Sequence, residues 1–90
     1  MTRYKELEPQ RPIQAGPEYI FIGSISWGSG VTRLEYAFWI SPDLEKVVWK
    51  NTCFTSGREM GVNDFLEYEW WNRTFIEKAI PFFRKKLDSL

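Results

Sequence analysis

The chain has 90 residues, 12 Lys+Arg against 12 Asp+Glu, no His and one Cys. Hydrophobic cores normally serve about 100–200 residues, so residues 1–90 are expected to form one domain. Zero formal charge argues against a protein that wraps duplex DNA, and five Trp, four Tyr and seven Phe supply the apolar area that argues against disorder.

Residues 1–17 contain Pro9, Pro12 and Pro17, with Gly16 beside the last, a spacing that forbids a regular helix. They read as an irregular arm, with Tyr4, Leu7 and Ile13 available for packing. The alternation of charge and polarity over residues 1–10, and the lack of any run near the ~18–20 apolar residues of a membrane span, lead us to expect neither signal peptide nor membrane anchor. A lone cysteine forms no internal disulfide, whereas small secreted domains are usually stapled by several. A reducing, cytoplasmic setting is therefore expected.

Residues 19–54 carry the signals of an antiparallel sheet. A first strand runs from Tyr19 to Trp27, with Tyr19, Phe21, Ile25 and Trp27 on one face and Ser24 and Ser26 on the other. A second runs from Val31 to Ile40, with Leu34, Tyr36, Phe38 and Ile40 opposed to Arg33 and Glu35. Reading Gly28-Ser29 as a two-residue type II′ turn pairs Trp27 with Gly30 and Phe21 with Tyr36, so that the two apolar faces coincide. A three-residue loop would place Phe21 opposite Ala37 and set those faces against each other. Pro42 to Glu45 read as a turn into a third strand, Lys46 to Phe54, which pairs Phe38 with Trp49 and Leu34 with Cys53. Val47, Trp49 and Cys53 then join the core. The back face collects Ile20, Ile22, Ala37, Trp39, Val48 and Phe54 among Arg33, Glu35, Lys50 and Thr52, which is too apolar for a face left in water.

Residues 55–63, with Gly57 and Gly61 around Arg58-Glu59, read as a mobile loop. Residues 64–90 read as helical: Asp64 and Glu67 have capping-box spacing, and Arg84-Lys85-Lys86 suit the final turn. Phe65, Tyr68, Phe75, Ile76, Ala79, Ile80, Phe83, Leu87 and Leu90 form one stripe at 3.6 spacing. Pro81 predicts a kink or break near Ala79-Ile80. The fold class is α+β, a three-stranded antiparallel meander with the C-terminal helix packed on one face.

Few residues suggest chemistry. Without His or a Cys/His ligand set, the chain lacks the common parts of acid–base catalysis and metal binding, so no catalytic residue, metal or cofactor is expected. Alternation with Val47 and Trp49 places Cys53 in the core as a small hydrophobe. Glu67 with Glu69, and Asp43 with Glu45, are two residues apart; on a helix such neighbours do not face one another, and solvated faces account for them. Gly28-Ser29-Gly30 is a hairpin turn rather than a phosphate cradle, since no helix N-terminus follows. Glu69, Arg73 and Glu77 form an i,i+4 ladder that props the helix flank.

Trp70 stands out. On a helical wheel it falls among Glu67, Thr74, Glu77 and Asp88, away from the apolar stripe, whereas Trp71 sits with Phe75 and Phe82 at the stripe's edge. Trp is the residue most enriched at binding hot spots. Trp39, on the apolar back face, offers a second patch unless residues 1–17 cover it. These features favour a small non-enzymatic protein-binding domain of inhibitor, immunity or assembly-factor type. Its expected contacts are Trp70, Trp39, Arg58, Glu59, Arg33 and Lys50, with homodimerisation through the back face as one use of that surface. The alternative is a single-stranded nucleic-acid-binding module in which Trp39 and Phe54 stack bases while Arg33 and Lys50 meet phosphates. Zero net charge counts against it.

Overall fold

The structure, a computed structural model, describes residues 7–90. Tyr4, expected to help pack the arm, lies outside them. Four strands, β1 (Ile20–Trp27), β2 (Leu34–Ile40), β3 (Lys46–Asn51) and β4 (Arg58–Gly61), form one antiparallel sheet in the order β1-β2-β3-β4. Two helices, α1 (Val62–Glu67) and α2 (Arg73–Asp88), follow and cover one face. The fold is α+β, with one strand more than the sequence pattern indicates: β4 occupies part of the segment read as a loop.

The β2–β3 hairpin has the expected register, with Phe38 opposite Trp49. Its turn is fixed by short polar side chains. Ser41 Oγ donates to Asp43 Oδ1 at 2.6 Å and accepts from the Lys46 N–H at 3.0 Å, while Leu44 takes a positive φ of 62°. The Ser41 hydroxyl holds the Asp43 carboxyl below its usual range. Beyond Asn51 the strand ends. Thr52 N–H still reaches the Glu35 carbonyl at 2.9 Å, but the chain then turns on Asn51, whose side chain accepts from the Cys53 N–H at 3.0 Å. The Leu34–Cys53 pair therefore does not form, and Cys53 is exposed rather than in the core.

The β1–β2 register differs from both options the pattern offered. Trp27 faces Leu34, Ile25 faces Tyr36, and Phe21 faces Trp39. Residues 28–33 form a longer loop containing a 3₁₀ turn, Gly30–Thr32, in which the Thr32 N–H and hydroxyl both donate to the Ser29 carbonyl, at 3.1 and 2.7 Å. Gly28 enters this loop at φ 84°, where an added Cβ would lie 2.7 Å from the Thr32 carbonyl oxygen. A bulge between Phe21 and Gly23 then changes the faces of β1. Ile25 and Trp27 face the helices as expected, but so does Ile22, while Tyr19 and Phe21 pack on the back with Trp39.

The helical region breaks at residues 68–72, not at Pro81. Asp64 makes no capping bond; Gly61, the last residue of β4, is the N-cap of α1. α2 restarts at Asn72, whose Oδ1 accepts the Phe75 N–H at 2.8 Å, and continues through Pro81. Pro81 and Glu77, whose carbonyl loses its donor, both lie at exposed positions, so the missing bond leaves no polar group buried. The buried stripe is Phe75, Ala79, Ile80 and Phe83, while Ile76 and Leu90 are exposed. At the centre of the core the ring of Phe65 meets those of Trp49 and Phe83 at centroid separations of 5.0 Å and that of Trp71 at 5.4 Å.

The arm closes the opposite face. Ala15 is buried with Ala37, Trp39 and Val48, and Pro12 is fully buried beside Gly57, whereas Leu7 and Ile13, the residues expected to anchor the arm, are exposed. Polar clasps fix its path. Arg11 Nη1 donates to the carbonyls of Gly16 and Tyr19 at 2.6 and 2.7 Å, and the Trp39 indole Nε1 donates to Glu8 Oε1 at 2.9 Å.

Candidate functional site

The break between the helices positions two adjacent tryptophans in opposite ways. Trp71 donates its indole N–H to the Phe65 carbonyl at 2.9 Å, and its ring lies 4.5 Å from Phe75 and 4.6 Å from Tyr68. One residue earlier, within the turn, Trp70 is 79% exposed. The sequence pattern anticipates that exposure through a continuous helix; the cause is instead a turn tied to α1 by the hydrogen bond of the neighbouring Trp71.

Alternation along β4 supplies the facing wall. Arg58 and Met60 pair with Trp49 and Val47, whose side chains belong to the helix-side core, so they lie on that side of the strand. Glu59 lies on the other side, where its Oε2 accepts from the Tyr19 hydroxyl at 2.6 Å. The carboxylate next to it pushes the Tyr19 phenol up to about 12.

Three adjoining hollows run along this wall. The first, about 360 Å³, lies among Tyr36, Trp49, Phe54, Arg58, Trp71 and Phe75. The second, about 400 Å³, shares Trp49, Arg58 and Trp71 with the first and reaches Met60 and Tyr68. The third, about 450 Å³, shares Met60 and Tyr68 with the second and is bounded by Asp64, Glu67, Glu69 and Trp70. Together they form a groove with aromatic walls, cationic at the Arg58 end and acidic at the Trp70 end. Among the described residues, Arg58, Asp64, Glu67 and Glu69 take part in no ion pair.

The expected contact residues divide accordingly. Trp70 and Arg58 lie in one groove, and Glu59 borders its middle hollow. Trp39 is fully buried, so the patch expected around it, and the dimer surface it would offer, are closed by the arm. Lys50 is only 3% exposed, and its Nζ donates to the Phe54 carbonyl at 2.9 Å. Arg33 lies at the sheet's far end, 3.8 Å from Glu35. Arg73 pairs with Glu77 at 2.8 Å, whereas Glu69 lies in the turn before α2 rather than on a shared helix. Met60, Tyr68 and Trp71 line the groove without having been singled out as contacts; β4 places Met60, and Asn72, a strong N-cap residue just before a new apolar stripe, is the signal that identifies the turn placing Tyr68 and Trp71.

Among the described residues no group of three or more His, Cys, Asp or Glu is placed to hold a metal ion, and no helix is long and apolar enough to cross a membrane. No known family, curated protein or solved structure significantly matches the chain, so the groove is interpreted from its own geometry.

Proposed function

We propose that the chain is a small, non-enzymatic protein-binding domain that receives its partner along this groove, with Trp70 as the principal anchor. The exposure of Trp70 carries the reading. A large apolar ring held in water by a turn that the Trp71–Phe65 hydrogen bond fixes is pre-organised, so little conformational entropy is lost when a partner covers it. The opposite charges at the two ends favour one direction of docking. The absence of histidine supports a binding role over catalysis. The nucleic-acid alternative has less support, because its stacking residue Trp39 and its cation Lys50 are both buried.

Matched baits carrying the parent chain or Trp70→Ala, exposed to an extract of the source organism, test the proposal. A protein retained by the parent and lost with a folded Trp70→Ala, and then shown to bind the parent in purified form, is the expected result. Equal retention of every partner by both baits would count against it.

A further inference from the structure

We propose that the first hollow, between the β2–β3 end of the sheet and the start of α2, is a binding site for an aromatic carboxylate. Its volume, about 360 Å³, lies at the lower end of the usual range for small-ligand sites and suits one or two rings. Tyr36, Trp49, Trp71 and Phe75 form apolar walls, and Phe54, 63% exposed, lies at the mouth. A ring entering here meets edge and face contacts of the kind already present between Trp71 and Trp49, whose centroids are 5.4 Å apart at 84°.

The charges select the other half of the ligand. Arg58 lines the hollow, and Glu59, the carboxylate next to it in sequence, is on the opposite side of β4 and engaged by Tyr19. Lys50, which pairs with Ala37 of the back-face cluster, has its side chain on the other side of β3, so Arg58 is the cation of the hollow. The N-cap of the sixteen-residue α2, Asn72, also lines the hollow, and the first turn of that helix contains no acidic residue to offset its dipole. No Asp or Glu is among the lining residues. One cation, Arg58, and a helix start beside an aromatic pocket without a carboxylate leave a net positive potential that a planar anion would neutralise, and the Arg fork can meet a carboxylate with two parallel hydrogen bonds. The pairing of ring and carboxylate occurs both in a free aromatic acid and in an aromatic residue at a chain's C-terminus. The assignment does not depend on the partner reading, which rests on Trp70 at the other end of the groove.

Titration of the ¹⁵N-labelled chain with phenylacetate, followed on the Trp71 and Trp49 indole N–H signals and the amides near Arg58 and Asn72, tests the site. Saturable shifts confined to these groups are expected, with a Kd of about 1 mM or tighter. The neutral isostere phenylacetamide should bind at least about tenfold more weakly, as should phenylacetate to Arg58→Gln, the loss anticipated for one charge-assisted contact. Acetate should leave the indole signals unmoved, and Trp70→Ala should leave phenylacetate binding unchanged. N-acetyl-alanyl-phenylalanine, with a free C-terminus, separates the two sources: tighter binding than phenylacetate assigns the site to a protein terminus, equal or weaker binding to a free acid. Equal binding of phenylacetate and phenylacetamide, or no response of these signals up to about 10 mM, would overturn the proposal.

Discussion

The indole N–H of Trp39 donates to the carboxylate of Glu8 at 2.9 Å, joining the most deeply buried tryptophan to an arm that arrives from 31 residues earlier in the chain. This bond, strengthened by Arg11 at 2.7 Å from the same oxygen, turns an apolar sheet face into a closed one. The groove on the helix side, lined by Trp71, Tyr68 and Trp70, stays open to solvent.

The Trp39 bond is also the main reason the Glu8 carboxyl titrates below its ordinary value, with Arg11 adding to it. A depressed carboxylate contributes stability that is fully present above its unfolded value, near 4.3, and lost as pH falls through the lower folded value. Glu8→Ala should therefore lower stability at neutral pH by about 1–3 kcal/mol, the range for an indole N–H left without its charged acceptor. As the pH falls below that unfolded value the difference should shrink. Denaturant melts of both chains at neutral and acid pH would measure it.

Gly23 lies in the β1 bulge at φ 136°, a conformation that side chains rarely adopt. Gly23→Ala should cost about 1–3 kcal/mol through backbone strain. If the strand slips to escape the strain, Ile22 and Phe21 exchange faces, and the fluorescence of Trp39 beside Phe21 should change along with the melting temperature.

The bulge also shows why β1 was only partly legible. A period-two pattern read through Phe21, Ile25 and Trp27 assumes an uninterrupted strand, and one inserted residue changes the face of everything before it. The pattern Phe38, Trp49 across Pro42–Glu45 had no such interruption, and that register was readable. Gly28-Ser29-Gly30 resembled a tight hairpin because the competing 3₁₀ turn relies on the Thr32 hydroxyl, a side-chain bond that composition does not reveal. β4 gives no strand signal because Arg58-Glu59-Met60-Gly61 contains no β-branched residue; it is a strand because β3 pairs with it. At the site, the exposure of Trp70 could be read from polarity, but the groove depends on a helix break announced only by Asn72.

Asn72 holds that break in place by capping α2. Asn72→Ala should destabilise the chain by about 1 kcal/mol, and Asn72→Ser, which retains a capping oxygen, by less. Thermal melts of the two variants would show the order.

Trp49 and Trp70 separate folding from binding. Trp49 packs against Phe65 and Trp71 in the core, so Trp49→Ala should cost about 3–5 kcal/mol. Trp70→Ala should change stability by no more than about 0.5 kcal/mol, as a surface substitution does. Urea titrations of both variants decide whether the exposed indole has any structural role.

The most direct measurement is the affinity of the purified partner for the parent chain and for Trp70→Ala, taken by calorimetry with both folded. A loss of about 2 kcal/mol or more, roughly thirtyfold in Kd, is expected if the indole is the anchor of the groove. Binding of the variant as tight as that of the parent would contradict a recognition role for Trp70.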